Sequence, residues 1–487
     1  MKRTKLLSLA IASLICAVAL HSALHAAQRP RYGGTLRVEM RERVNSMDPR
    51  GFDPAAAGSQ ATERLLGLVY DRLVRIDERG QPQPALAFSW QHDANFTHWQ
   101  FQIHPDVRFH DDTKLTADIA VASLQAQDWP ATALGGAVTF AFTSPRPNLA
   151  VELASGRSFI FHAAQDTVFG TGAFRIAEWQ AGQKLVLTAS EEYWAGRPFV
   201  DRAEITLGIS PQQQINDLEL GHADVIEVLP TLARRAGQTS ARVWNSSPVD
   251  LFAITFTPGR PASQDPRLAQ ALSLAIDRVA IVNVILQRQG EPAASLLPQW
   301  LSGYAFLFPA AVNLEQAKQL RAQVPAIRSL SLVYDGGDPV AVTVAERFAV
   351  NARDLGITVS LSAVNAGAAS PNADLRLVRW HIDAPDSQQA LGVLLARVSQ
   401  PLVAAQAGGQ PGAQSPVLDT PEKRYAAERA ALDTGGVIPL AFVPEIYALG
   451  PNVRDWMAPR WGGWRLEDVW LDLTPKAEQS AGGNNRP

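Results

Sequence analysis

Nine histidines, 47 acidic residues and one cysteine are the side chains on which catalysis or metal binding would have to rest in this 487-residue sequence. Two of the histidines, His21 and His25, fall at the apolar N-terminus, which leaves His92, His98, His104, His110, His162, His222 and His381. No two stand at the HExxH or HxH spacing that would aim two imidazoles at one metal from a single helix or strand face, so no zinc site is expected. His98 and His104 alternate with apolar neighbours and read as surface positions of a strand, while His110-Asp111-Asp112 reads as a solvated turn. A lone Cys16 can form neither an internal disulfide nor a multi-cysteine cluster. The glycines make no GxGxxG or GxxxxGK[ST] loop, and Gly170-Thr-Gly172 reads as a turn rather than a phosphate cradle. No GxSxG elbow and no nucleophile–base pair is visible. These residues predict no enzyme and no cofactor.

The remaining chemistry is that of surfaces and pockets. Lys+Arg 44 against Asp+Glu 47, without a block of like charge, argues against a nucleic-acid partner, which would call for a basic stripe. Twelve tryptophans are many for this length. Trp90, Trp99, Trp179 and Trp194 read as packing residues. Trp456, Trp461, Trp464 and Trp470 gather near the C-terminus, where core packing is expected and carbohydrate-like stacking is the alternative.

The elements that must position such residues alternate between strand and helix, and 46% apolar composition supplies several cores. Lys2, Arg3 and Lys5 precede an apolar run from Leu6 to Leu20 and small residues at Ala26 and Ala27, the pattern of a cleavable secretory signal. The expected signal is 1–26; its removal takes Cys16 away and moves the net charge from −3 to about −6. Gly33–Glu39 is expected to enter a strand, 61–76 to form a helix, and Thr97–His104 to alternate as a half-buried strand. Thr116 should cap a helix. Two alternating runs, Ala173–Glu178 and Lys184–Thr188, suggest a hairpin around Ala181-Gly182. Asp265-Pro266 opens what reads as one helix running to Gly290 with Leu268, Leu272, Val279, Val282 and Leu286 on one face. Ser329–Tyr334, Pro339–Leu355 and Ile357–Leu361 predict a βαβ unit. Residues 401–416 read as a loop, and a polar, disordered tail is expected over 476–487.

Several stretches carry a resemblance. Leu68-Val-Tyr-Asp-Arg-Leu-Val-Arg-Ile-Asp77 with Pro84-Ala-Leu-Ala-Phe-Ser-Trp90, then Trp99–Asp111, Gly170–Trp179 and Asp265–Arg278, occur in an order that resembles family 5 extracytoplasmic solute-binding proteins, the peptide and nickel receptors of ABC importers. That resemblance implies an α/β, two-lobe periplasmic-binding-protein fold with a hinge and a shortened domain inserted in lobe I. Residues 33–62, 166–247 and 446–475 would build lobe I, 63–165 the insert, and 248–445 lobe II. It also implies a periplasmic or otherwise extracytoplasmic monomer that captures a peptide-like solute and hands it to permease subunits of an ABC importer. A nickel chelate or other small solute on the same scaffold, and a degenerate interaction or sensor module, remain alternatives.

Trp380-His-Ile-Asp-Ala-Pro-Asp386 is similar to the family's GWxADYPDP stretch. By that resemblance Asp383 would pair with a ligand α-amine, Trp380 would be the aromatic beside it, and His381 would touch the ligand or a metal chelate. Arg379, Ile382 and Ala384 depart from the pattern, and an arginine at 379 would serve to neutralise Asp383. The structural alternative is that Asp383 caps a turn before Pro385.

Overall fold

A computed structural model describes residues 29–473, apart from 55, 57, 239–240, 325–326, 366–367, 369, 383, 400–417 and 458–462. The expected signal, the 401–416 loop, the tail, Trp461 and Asp383 therefore lie outside the described residues.

One sheet runs through the molecule. Its strands, in chain order, are β1 (Thr35–Glu39), β2 (Phe174–Gln180), β3 (Lys184–Ala189), β4 (Arg202–Thr206), β5 (Val225–Glu227), β6 (Arg242–Phe256), β7 (Glu291–Pro292), β8 (Ser329–Asp335), β9 (Thr358–Val364), β10 (Leu375–His381) and β11 (Val437–Leu449). The spatial order is β2-β3-β4-β1-β5-β11-β6-β10-β8-β9, with β7 added beside β11. β1 is parallel to both β4 and β5, β8 is parallel to β9 and β10, and the long central strands β6 and β11 are antiparallel. Parallel strands need covering helices. The helix Pro339–Arg353 supplies one, burying Val340, Val344 and Phe348 to complete the expected βαβ unit. The hairpin is also as expected, with a register shift between Ile176 and Glu178.

Two cores flank the middle of this sheet. Leu36, Val38, Leu185 and Ile205 belong to one, together with Leu65, Leu66 and the buried Trp456 and Trp464. Ile254, Leu272, Leu332 and Phe348 belong to the other. Among the described residues, β6 and β11 carry the sheet from one side to the other. Where they do, the ladder is irregular: the register shifts between Asn245 and Pro248 and again before Asp250, and Pro248 stands opposite Pro444. Two facing prolines remove two N–H donors, which thins the ladder here and suits this crossing to a hinge. A separate four-stranded antiparallel sheet, His98–Ile103 at its centre, holds a third core with Trp99, Phe101 and Phe140 buried.

Three expectations are corrected. The helix read over 61–76 ends at Val69, and Val74–Ile76 is a strand; the chain turns at Tyr70, where Gly170 and Gly172 press onto the Val69 carbonyl. A Cβ at Gly170 would lie 1.9 Å from the Val69 carbonyl oxygen, and one at Gly172 2.5 Å from its carbon. Those two glycines serve close backbone approach. The helix from Asp265 breaks at Ile276, which is extended. Arg278 is buried there, donating from Nε to the carbonyls of Ala293 and Pro439, and Asp277 caps a new turn that opens into a π-helical turn at Ile281–Ile285. This leaves Val279 51% exposed instead of on the apolar face. Finally, His110-Asp111-Asp112 is tied down rather than simply solvated. His110 Nε2 lies 2.9 Å from the Gly172 carbonyl, Asp111 meets His162 at 2.8 Å, and burial lowers the His110 pKa to about 4.

Candidate functional site

The register of β6 with β10 brings the central charged cluster together. Asp250 pairs with His381 and Phe252 with Arg379, so Arg379 and His381, two residues apart, share one face of the sheet with Asp250. Arg379 donates to Asp250 Oδ2 from Nε at 2.8 Å and from Nη2 at 2.5 Å. Its Nη1 reaches Asp338 at 3.3 Å, and its guanidinium lies 5.6 Å from the centre of the Phe252 ring. His381 Nδ1 lies 2.7 Å from Asp250 Oδ1. Burial alone would raise the Asp250 pKa; the adjoining Arg379 and His381 instead hold it below the usual carboxylate range. Arg379 is shifted upward by Asp250 and Asp338 against the cost of its own burial.

The opposite wall comes from the helix Ser59–Val69 and from β11. Gln60 Nε2 stands 2.8 Å from His381 Nε2 and 2.9 Å from Glu445 Oε1, and Arg64 pairs with Glu445. With Nδ1 donating to Asp250, the His381 Nε2 lone pair is left to accept from Gln60. Farther along this wall, Arg41 lies 3.4 Å from Glu227. Burial, reinforced by Glu42, pushes the Glu227 pKa up to about 7, while Arg41 holds Glu42 below its ordinary value despite burial.

Between these walls is a cavity of about 250 Å³. It is bounded by Gln60 and Arg64 on one side, by His381, Val393 and Arg397 on the other, and by Ser246 and Glu445 at the hinge. Ala384 and Gln389 also line it, so the segment around the expected motif borders the cavity. His381 is thus brought to the cavity. Trp380 is turned to the other face of β10, half-buried beside the core of Leu251, Leu296 and Leu391, and it does not line this cavity. The partners of Arg379 in the described residues are Asp250 and Asp338. Sequence reasoning missed Gln60, Arg64, Asp250 and Glu445. The one available signal was Asp250, an acid inside the apolar run Val249-Asp-Leu-Phe-Ala253 just after Pro248. Among the described residues no group of three or more His, Cys, Asp or Glu side chains could hold a metal ion.

Comparison with known proteins gives this arrangement its context. Residues 81–399 match the family described as bacterial extracellular solute-binding proteins, family 5. The chain belongs to that family. The peptide transport periplasmic protein SapA of Salmonella typhimurium is 23% identical over 416 residues, covering 72% of this chain and 75% of SapA. The probable D,D-dipeptide-binding periplasmic protein DdpA of Escherichia coli is 24% identical over 355 residues, or 64% of this chain and 68% of DdpA. In fold, the chain is similar to NikA from Brucella suis, solved with Fe(III)-EDTA, at TM-score 0.77 and 19% identity over 90% of this chain and 100% of that one. It is also similar to a dipeptide-binding protein from Pseudoalteromonas sp. SM9913, solved with Met-Leu, at TM-score 0.75 and 16% identity over the same shares. The family 5 match and the two-sided cavity identify the chain as a solute-binding protein of the ABC-importer type with an α/β two-lobe fold.

Proposed function

We propose that this family 5 protein works outside the cytoplasm, as a monomer, capturing a small peptide-like solute between its two lobes and presenting it to the permease subunits of an ABC importer. The observation that carries this reading is the cavity bounded by Gln60 on one side of the hinge and His381 on the other, with Pro248 facing Pro444 between them. Closure about the facing prolines buries the solute from water, and opening releases it. Under this reading lobe I comprises 33–62, 166–247 and 446–475, the insert 63–165, lobe II 248–445, and residues 1–26 direct export. Asp383 and Trp380 belong to the wider binding segment, Asp383 as the acid for a ligand α-amine. Capture is non-covalent and no bond is made or broken.

A volume of about 250 Å³ is below the usual range of roughly 300–1,000 Å³ for small-molecule sites, which favours dipeptide-sized solutes over longer ones. Calorimetric titration of the purified chain with di-, tri- and longer peptides tests this. Binding that strengthens from two to three residues and onward would overturn the size assignment, and indifference to every peptide would overturn the peptide reading.

One observation favours a second reading. The Asp250–His381 pair is the carboxylate–imidazole arrangement that orients a histidine toward a metal through its other nitrogen. A metal arriving with its own chelator needs few protein donors, so a nickel chelate fits this side of the cavity once it displaces the Gln60 amide from His381 Nε2. Native mass spectrometry of the protein as isolated separates the two readings.

A further inference from the structure

A second groove lies apart from the cavity, beside the hinge. The segment Pro230–Gln238 contributes Thr231, Arg234, Arg235 and Gln238, and the π-helical turn and its exit contribute Asn283, Gln287 and Arg288. The groove is open to solvent, spans about 510 Å³, and its wall holds three guanidiniums and no carboxylate. Arg235 is engaged by Glu219 at 3.1 Å. Arg234 and Arg288 have no carboxylate within 4.0 Å among the described residues, although the protein forms many other arginine–carboxylate pairs.

Backbone conformation adds an independent observation. Gln287 and Arg288 both adopt left-handed φ angles, +49° and +65°. Glycine takes such angles freely and stands two positions on, at Gly290 (φ +137°), yet the two strained positions carry long polar side chains, both of which line the groove. The preceding turn is π-helical, a local widening that is frequent at functional sites. Strained backbone, an unusual turn and two unneutralised guanidiniums thus converge on one polar groove. The two walls also belong to different parts of the fold. Ala233 and Ala236 pack with β5 and the end of β11, whereas Ile281, Val282 and Leu286 pack in the core of β8 and its covering helix.

We propose that this groove is an oxyanion site that takes a phosphate group, held by Arg234 and Arg288 with Asn283, Gln287 and Gln238 as further donors. Guanidinium forks match the oxygens of phosphate, and amide side chains fill the remaining acceptor positions. The phosphate can be a free anion or the headgroup of an anionic lipid; the site stands whichever solute the cavity takes.

The test uses the full chain at low ionic strength, titrated calorimetrically with inorganic phosphate against an equal concentration of chloride. In parallel, the chain is sedimented with phosphatidylglycerol and with phosphatidylcholine vesicles. Saturable binding of phosphate assigns the free anion. Binding to phosphatidylglycerol vesicles alone assigns the headgroup. In either case Arg234→Gln and Arg288→Gln should each weaken the interaction about tenfold, the loss of one charge-assisted contact. Arg288→Gly separates binding from folding: it relieves the left-handed strain, so its thermal midpoint should equal or exceed that of the wild type while phosphate binding falls as in Arg288→Gln. Failure of the wild type to bind either probe, or variants that bind as well as wild type, would overturn the site.

Discussion

Gln60 places its side-chain amide 2.8 Å from the ring of His381, 321 residues away in sequence. The same nitrogen reaches Glu445 at 2.9 Å, so one neutral side chain ties the helix Ser59–Val69 to β10 and to the hinge strand β11. This bridge exists only while the two walls face each other. Gln60→Ala should therefore lower solute affinity at least about fivefold, through loss of its contacts to His381 and Glu445, and leave the thermal midpoint unchanged. Calorimetry alongside thermal unfolding checks both halves, and an affinity unaltered in the variant would show that the bridge does not contribute to closure.

Asp250 is expected to matter for folding more than for ligand contact. It is 6% exposed and receives Arg379 and His381 together. Asp250→Ala leaves both partners without their shared carboxylate. Because Arg379 retains 30% exposure and water can partly solvate it, the cost should be about 2–3 kcal/mol, below that of a fully buried pair. Urea unfolding measures it.

A pH dependence follows from Glu428. Burial raises its carboxyl pKa to about 7 even though Tyr304 and the N–H groups of Leu296 and Leu297 donate to it. The folded protein thus holds this proton more tightly than the unfolded chain, whose carboxyl titrates near 4.5. The stability tied to that proton is fully present below about pH 4.5 and is lost as pH rises through about 7, at most roughly 3 kcal/mol for this group. Glu227 and Glu467 are raised in the same direction and to similar values. Denaturation across pH 4.5–7.5 should show stability falling with rising pH, with a shallower slope in Glu428→Gln. A slope identical in variant and wild type would remove Glu428 from the account.

Two glycine substitutions should act in opposite directions. Gly170→Ala drives a methyl group to 1.9 Å from the Val69 carbonyl and should prevent native folding or cost several kcal/mol, at least about 3 kcal/mol. Gly392, inside the helix Ser387–Ser399, has nothing within 4 Å of its missing Cβ. Gly392→Ala should stabilise by about 0.5–1 kcal/mol through helix propensity. Paired thermal melts decide between them.

Much of the scaffold was readable from the amino acids alone, because periodicity and capping are local. Thr116 caps its helix, Lys184–Ala189 pairs with Phe174–Gln180, and Pro339–Arg353 lies between two parallel strands, as the hydroxyl cap, the alternation and the strand–helix–strand spacing indicated. The ordered motifs carried the family assignment, and with it the expectation that His381 faces the ligand. Tertiary structure decided the rest. The helix from Asp265 keeps its apolar spacing through to Leu286, yet it breaks at Ile276 because carbonyls of Ala293 and Pro439 accept the Arg278 side chain. The alternation of β10 sends His381 to the cavity and Trp380 to the other face, and only the pairing of β10 with β6 defines which face is which. Gln60 and Glu445 carry no mark of a site in their own neighbourhoods, and Asp250 only that of an acid inside an apolar run. Their role arises from long-range contact, since a buried charge or amide takes its meaning from the partner that the fold sets beside it.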